Sequence, residues 1–185
     1  MFKYSKIMPY PIRVKKKDLK MAKYIITQFG GPDGELGAAL RYFSQKFSMP
    51  DDRGRALLND IATEELGHAE MIAAIVNALM KDATIKEIKE AGLAAYYTSH
   101  GKGIYPCDQN GIPFNAEAFQ STSDVFTNLS EDMAAEEKAR STYESLIDLT
   151  DDEDLINILL FLRQREIVHF NRFKELYDIY KNKLK

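Results

Sequence analysis

The sequence predicts an all-α protein: a four-helix bundle of two αα-hairpins joined by a long crossover, with an extended N-terminal arm. Three observations lead there. Prolines stand only at positions 9, 11, 32, 50, 106 and 113, which leaves 51–105 and 114–185 free of them. Within those stretches apolar residues recur at alternating intervals of three and four, the repeat that lines one face of a helix. Short turns separate the first helix from the second and the third from the fourth, whereas residues 82–120 separate the two pairs. At 185 residues the whole chain reads as a single domain.

Each element has its own signature. Residues 1–16, which include YPIRV, read as an extended arm, and the Lys15–Lys17 run as solvated surface. The first helix places Ile25, Ile26, Phe29, Leu36, Leu40, Phe43 and Phe47 on its core face, with Glu35 beside them. Gly30, Gly31, Pro32 and Gly34 predict a kink or break just ahead of Glu35. The second helix carries Leu58, Ile61, Glu65, His68, Ile72, Ile75 and Leu79, and Asp51 and Asp52 supply its N-cap and first-turn acid. In the crossover, ATIKEIKEAG forms a short helical piece and SHGKGIYPCDQNGIPF an ordered loop turning at Gly and Pro. The third helix runs Phe126, Leu129, Met133, Glu136, Arg140, Tyr143 and Ile147. The fourth runs Leu155, Leu159, Leu162, Glu166, His169, Phe173, Leu176 and Tyr180, with Asp151 and Asp152 at its start.

Composition narrows the function classes. Hydrophobic residues at 45% and charged residues at 29% suit a soluble globular protein. A net charge of −3 gives no basic footprint for nucleic acid. The single cysteine, Cys107, allows no intrachain disulfide and fits a reducing compartment. No run approaches the roughly 20 apolar residues that span a bilayer, and no secretory signal is readable.

The chemistry lies in the polar residues that interrupt the apolar seams. Thirty residues separate Glu35 from Glu65, and thirty separate Glu136 from Glu166. Each second Glu is followed three residues later by a histidine, His68 and His169, so one shift of 101 maps the first set onto the second. Residues three apart on a helix share a face, so each Glu and His can converge on one point. Four carboxylates buried without cations would cost several kcal/mol each, and two divalent metals offset their charge. One Glu from each of two helices and Glu-x-x-His from the other two is the arrangement of ferritin-like di-iron and di-manganese carboxylate bundles. Carboxylate and imidazole donors suit manganese or iron, and the lack of thiolates argues against structural zinc. Glu64, Glu70 and Glu137 are neighbours off the stripe and are set aside.

Other residues carry weaker signals. Tyr42 lies two turns after Glu35, where it can hydrogen-bond a ligand or pack the core. Arg140, one turn after Glu136, either balances charge at the site or pairs with an exposed acid. His100 reads as a loop histidine and Cys107 as a packed thiol. Glu117, Glu131 and Glu144 read as surface charges.

The stretches AKYIITQFGGPDGELGAALRYFSQKF, DIATEELGHAEMIA, SEDMAAEEKARSTYESLI and LRQREIVHFNRFKE resemble the non-haem manganese catalases, in particular their short spore-coat branch. GGxDGELxAALRY and REIVH are not general bundle patterns, and the likeness covers nearly the whole chain. The resemblance implies two manganese ions held by five side chains. Glu35 and His68 would bind one, Glu136 and His169 the other, and Glu65 would bridge them. Glu166 then matches an acid–base carboxylate beside the metals, whereas in di-iron relatives the equivalent Glu is itself a ligand. Tyr42 matches a tyrosine next to the ligands.

Hydrogen peroxide is the implied substrate, with disproportionation to water and dioxygen as the reaction. The branch further implies a spore-coat location after synthesis in the mother-cell cytoplasm, a homo-oligomer between dimer and hexamer, and other coat proteins as partners. Longer catalases continue into a tail that wraps neighbouring subunits, and this sequence ends at Lys185, so tail contacts are not expected. Two alternatives stand beside this reading. One is a ferritin- or rubrerythrin-like protein with two iron ions, acting as ferroxidase or peroxidase. The other is a mainly structural coat protein whose bundle the metals stabilise.

Overall fold

Asp18 starts the first helix: its carboxylate accepts from the amides of Lys20 and Met21 at 3.0 Å each. The computed structural model describes residues 7–183, so the first six residues of the expected arm lie outside the described residues. The helices are α1 (Leu19–Ile25), α2 (Thr27–Gly30), α3 (Glu35–Gln45), α4 (Asp52–Leu79), α5 (Ile85–Glu90), α6 (Ala94–His100), α7 (Val125–Ile147) and α8 (Glu153–Lys183). No strand occurs among the described residues, and none of their helices is long and apolar enough to cross a membrane. The all-α class holds. α3 packs on α4 and α7 on α8, giving the two expected hairpins with the crossover between them.

The predicted break ahead of Glu35 is real and divides the first helix into α1, α2 and α3. Gly31 and Gly34 adopt extended backbone there. Gly30 lies under the crossover: a Cβ at this position would stand 2.3 Å from the backbone of Pro106 and Cys107. Gly30→Ala therefore has to move main chain rather than a side chain. A loss of roughly 1–3 kcal/mol is expected, read as a lower midpoint in a urea melt, and an unchanged midpoint would contradict the contact.

Burial follows the predicted stripes closely on α4 and α8, where every named stripe residue is buried. These long helices run antiparallel and are tied by Asp51–Tyr180 and Asp60–Arg172, each at 2.6 Å. On α7 the buried face is Asn128, Leu129, Asp132, Glu136, Ala139, Tyr143 and Leu146, so Met133, Arg140 and Ile147 turn to its edge. A strict 3-4 alternation repeats every 3.5 residues while the helix turns every 3.6, and the face drifts. On α3 the core face is Glu35, Ala39 and Tyr42, whereas Phe47 is 78% exposed. That corrects the expected placement of Phe47: the chain has left α3 by then for a single 3-10 turn at Lys46–Ser48.

Three other details differ from expectation or refine it. At the start of α8, Asp152 accepts from the Asp154 amide at 3.0 Å, and the first-turn acids are Glu153 and Asp154. α6 was not foreseen from the sequence. It rests on the buried Tyr96, whose hydroxyl donates to Gly103 O at 2.6 Å and accepts from the Tyr105 amide at 2.8 Å. In the arm, Met8, Tyr10, Ile12 and Val14 are half-buried against the core while Pro9, Pro11 and Arg13 are exposed. This is the two-residue alternation of an extended chain, and Tyr10 stacks on Phe161 with ring centroids 5.0 Å apart.

The core falls into two apolar clusters. One gathers Ile72, Ile75, Leu79, Leu155, Leu159 and Leu162 with α1. The other gathers Leu58, Ile61, Leu129, Phe173, Leu176 and Tyr180. Along α4 and α8 the residues between these clusters are Glu65, His68, Glu166 and His169.

Candidate metal centre

Four helices bring the six sequence-predicted residues together. Glu35 opens α3, Glu65 and His68 lie mid-way along α4, Glu136 along α7, and Glu166 and His169 along α8. All six are at most 2% exposed. Glu65 stands at the middle. Its Oε2 lies 2.7 Å from His68 Nδ1 and its Oε1 lies 2.7 Å from His169 Nδ1. His68 Nδ1 is also 3.7 Å from Glu35 Oε2 and 3.7 Å from Glu166 Oε1, while His169 Nδ1 is 3.6 Å from Glu136 Oε2.

The donor atoms form two groups, each within 4.8 Å: Glu35, Glu65, His68 and Glu166, and Glu65, Glu136, Glu166 and His169. Glu65 and Glu166 belong to both. Buried Oε2 of Glu136 and Oε1 of Glu166 have no hydrogen-bond partner. Unpartnered buried carboxylate oxygens facing inward-directed imidazoles are a donor set that a divalent cation satisfies.

Electrostatics in the metal-free protein follow from that crowding. Burial, then the Glu65 charge, pushes the Glu35 carboxyl up to about 7. Burial, then the Glu35 charge, drives Glu166 well above the carboxylate range, and burial with Glu65 raises Glu136. Burial also opposes ionisation of Glu65, but the two imidazolium charges outweigh it and hold Glu65 ionised well below the usual range. For His169, burial disfavours the charge, yet Glu65 prevails and pushes the ring up to about 12. His68 is raised in the same way. Metal-free protein thus carries extra protons at neutral pH, and ligands must lose them to bind metal. Manganese loading is expected to release protons and to tighten as pH rises. Calorimetry in buffers of different ionisation enthalpy measures the release, and identical heats would contradict it.

Two tyrosines extend the pattern. Tyr42 donates a short hydrogen bond to Glu136, and Tyr143 donates one to Glu35. Each phenol therefore grips the carboxylate of the other hairpin, and both are fully buried. From its spacing alone Tyr143 is a seam residue. The same shift of 101 that relates the ligands relates Tyr42 to Tyr143, and was the signal that could have found it. Arg140 stays outside, paired with Glu137 at 3.0 Å and Glu144 at 2.7 Å.

Neither His100 nor Cys107 joins the site. His100 stacks on Tyr105, ring centroids 4.1 Å apart. Cys107 is buried, and that burial, with Asp108 next to it, pushes its thiol up to about 11, as suits a packed rather than reactive sulfur.

A narrow cavity reaches this cluster between α3 and α7. Gly34, Ala38, Ala135 and Ala139 line it together with Glu136 and Glu166, and it holds about 10 Å³. That is the room of roughly one water molecule, and Asp33, Arg41 and Tyr42 line it as well.

Fold and cluster define a carboxylate–histidine helical bundle, a class that holds metal ions between its helices. The chain belongs to the manganese-containing catalase family, whose family model matches residues 1–184. It is 49% identical to Protein CotJC of Bacillus subtilis over 181 residues, 98% of this chain and 95% of that protein. A probable manganese catalase of Clostridium acetobutylicum is 30% identical over 184 residues, 98% of this chain and 82% of its own length. The crystal structure of KatB, a manganese catalase from Anabaena, superposes with a TM-score of 0.88 at 32% identity, covering 98% of this chain and 81% of that one. The ferritin-like bundle is therefore shared with proteins of known fold.

Proposed function

We propose that the protein is a dinuclear manganese catalase that converts hydrogen peroxide to water and dioxygen, 2 H2O2 → 2 H2O + O2, and serves as a spore-coat component. The observation that carries this reading is that two groups of donor atoms share Glu65, whose oxygens stand 2.7 Å from both histidines. In it Glu35 and His68 would hold one manganese and Glu136 and His169 the other, with Glu65 available to both. The bound pair supplies two one-electron changes, which matches the two electrons that each peroxide takes or gives.

The rest is the work of side chains. Reducing one peroxide to two waters consumes two protons, and oxidising another to dioxygen returns two. Glu166, buried and facing both donor groups, is placed to hold and return a proton at Oε1. Tyr42 and Tyr143 fix the outer carboxylates so that the ligands keep their aim. The gap lined by Gly34, Ala38, Ala135 and Ala139 opens on Glu136 and Glu166 and is the route by which peroxide would reach them.

One observation favours a second reading. Glu166 falls within both donor groups, which fits the six-ligand set of di-iron bundles. Purified protein assayed for metal content and for oxygen release separates the two. Manganese with oxygen evolved from peroxide alone supports the catalase, whereas iron with peroxide consumption that needs an electron donor supports the rival. The coat location and a homo-oligomeric state rest on the likeness to the spore-coat branch. Extraction with the coat fraction of purified spores tests the location.

A further inference from the structure

We infer that Glu64, clamped by Arg165, is a single positioning residue for both histidines, so that both metal positions depend on this one carboxylate. The inference rests on the dinuclear reading above and concerns residues beyond its ligands. Glu64 precedes the bridging Glu65 on α4, so its side chain leaves the helix about 100° away from the seam, toward the outer edges of the imidazoles. Its Oε2 lies 3.1 Å from His169 Nε2 and its Oε1 lies 3.5 Å from His68 Nε2. The two rings stack with centroids 5.7 Å apart and planes 21° from parallel, which sets both outer nitrogens side by side before one carboxylate.

Arg165 holds that carboxylate as a fork, with Nε 2.5 Å from Oε1 and NH2 3.2 Å from Oε2. By the shift of 101 that relates the two hairpins, Arg165 is the counterpart of Glu64. At this pair, where the symmetry of the ligands would put a second acid, the chain has the cation that fixes the first. Two acids here would repel one another beside four buried carboxylates. One acid held by one arginine is neutral overall and serves both rings. Neither Nε2 has a hydrogen-bond partner as the side chains stand, and a carboxylate this close, once aligned, would keep each ring's N–H on the outer side and leave the Nδ1 lone pair directed at the metal.

The test uses the full chain, stripped of metal and titrated with Mn(II), followed by calorimetry and by electron paramagnetic resonance. Glu64→Ala is expected to weaken both manganese positions about 10- to 100-fold. Glu64→Gln is more informative, because an amide offers one acceptor and one donor and can serve only one of two N–H groups. At a manganese concentration that saturates the wild type, this variant should bind one ion rather than two, and the signal of an exchange-coupled pair should give way to that of isolated Mn(II). Arg165→Gln, which leaves the acid in place but unclamped, should shift both readouts the same way by less, and keeps the test open if a Glu64 variant fails to fold. Two ions bound with wild-type affinity and an unchanged spectrum in Glu64→Gln and Arg165→Gln would overturn the inference. A wild-type protein that binds no pair of metals would instead overturn the dinuclear reading beneath it.

Discussion

Glu65→Gln is expected to lose both metal ions and, with them, all measurable peroxide turnover. Among the described residues, Glu65 alone has an oxygen at 2.7 Å from the Nδ1 of each histidine. Its carboxylate is fully buried and stays ionised against the cost of burial. Glutamine keeps the shape, removes the charge, and puts an NH2 where one metal needs a lone pair. Metal affinity should fall by more than about 100-fold, beyond what loss of a supporting residue costs, and dialysed protein should retain no manganese. The metal-free variant should suffer too. A carboxylate whose folded pKa lies below its unfolded value stabilises the fold above the unfolded pKa, and loses that contribution as pH falls. At neutral pH the substitution therefore removes the stabilisation in full, about 3–5 kcal/mol for a broken buried ion pair. Retention of two metals by Glu65→Gln would remove Glu65 from the bridge.

Glu166→Gln should behave in the opposite way, keeping metal while turnover falls by roughly 10²- to 10⁴-fold, the usual worth of a positioned proton carrier. Five other side chains remain to hold the ions, and the amide preserves the packing of α8 between the two apolar clusters. What disappears is a group that can accept and return a proton beside both donor groups. Turnover at the wild-type rate would take Glu166 out of the mechanism. Loss of the metals would make it a ligand and favour the di-iron arrangement.

How much the sequence could show depended on where each residue sits relative to the seams. α4 and α8 contribute unbroken stripes, so their faces were legible from spacing, and the Glu and His within them stood out against Leu and Ile. α3 is harder: its buried residues are Glu35, Gly37, Ala39, Arg41, Tyr42 and Gln45, so small and polar residues carry the contact and the apolar count points elsewhere, to the exposed Phe47. Glu64 lies off the stripe, where spacing gives no reason to choose it, yet an imidazole is long enough to present its outer nitrogen beyond the seam. Tyr143 looked like a packing residue because the hydroxyl that matters is at the far end of an otherwise apolar ring. α6 has no helical repeat of its own and depends on Tyr96 bonding to the loop that follows it.

A joint grip on two ions in the bundle core should show in anomalous diffraction at the manganese edge, from crystals of the loaded protein, as two peaks, one against Glu35 and His68 and the other against Glu136 and His169, with Glu65 touching both. A single peak, or manganese bound only at the protein surface, would contradict it.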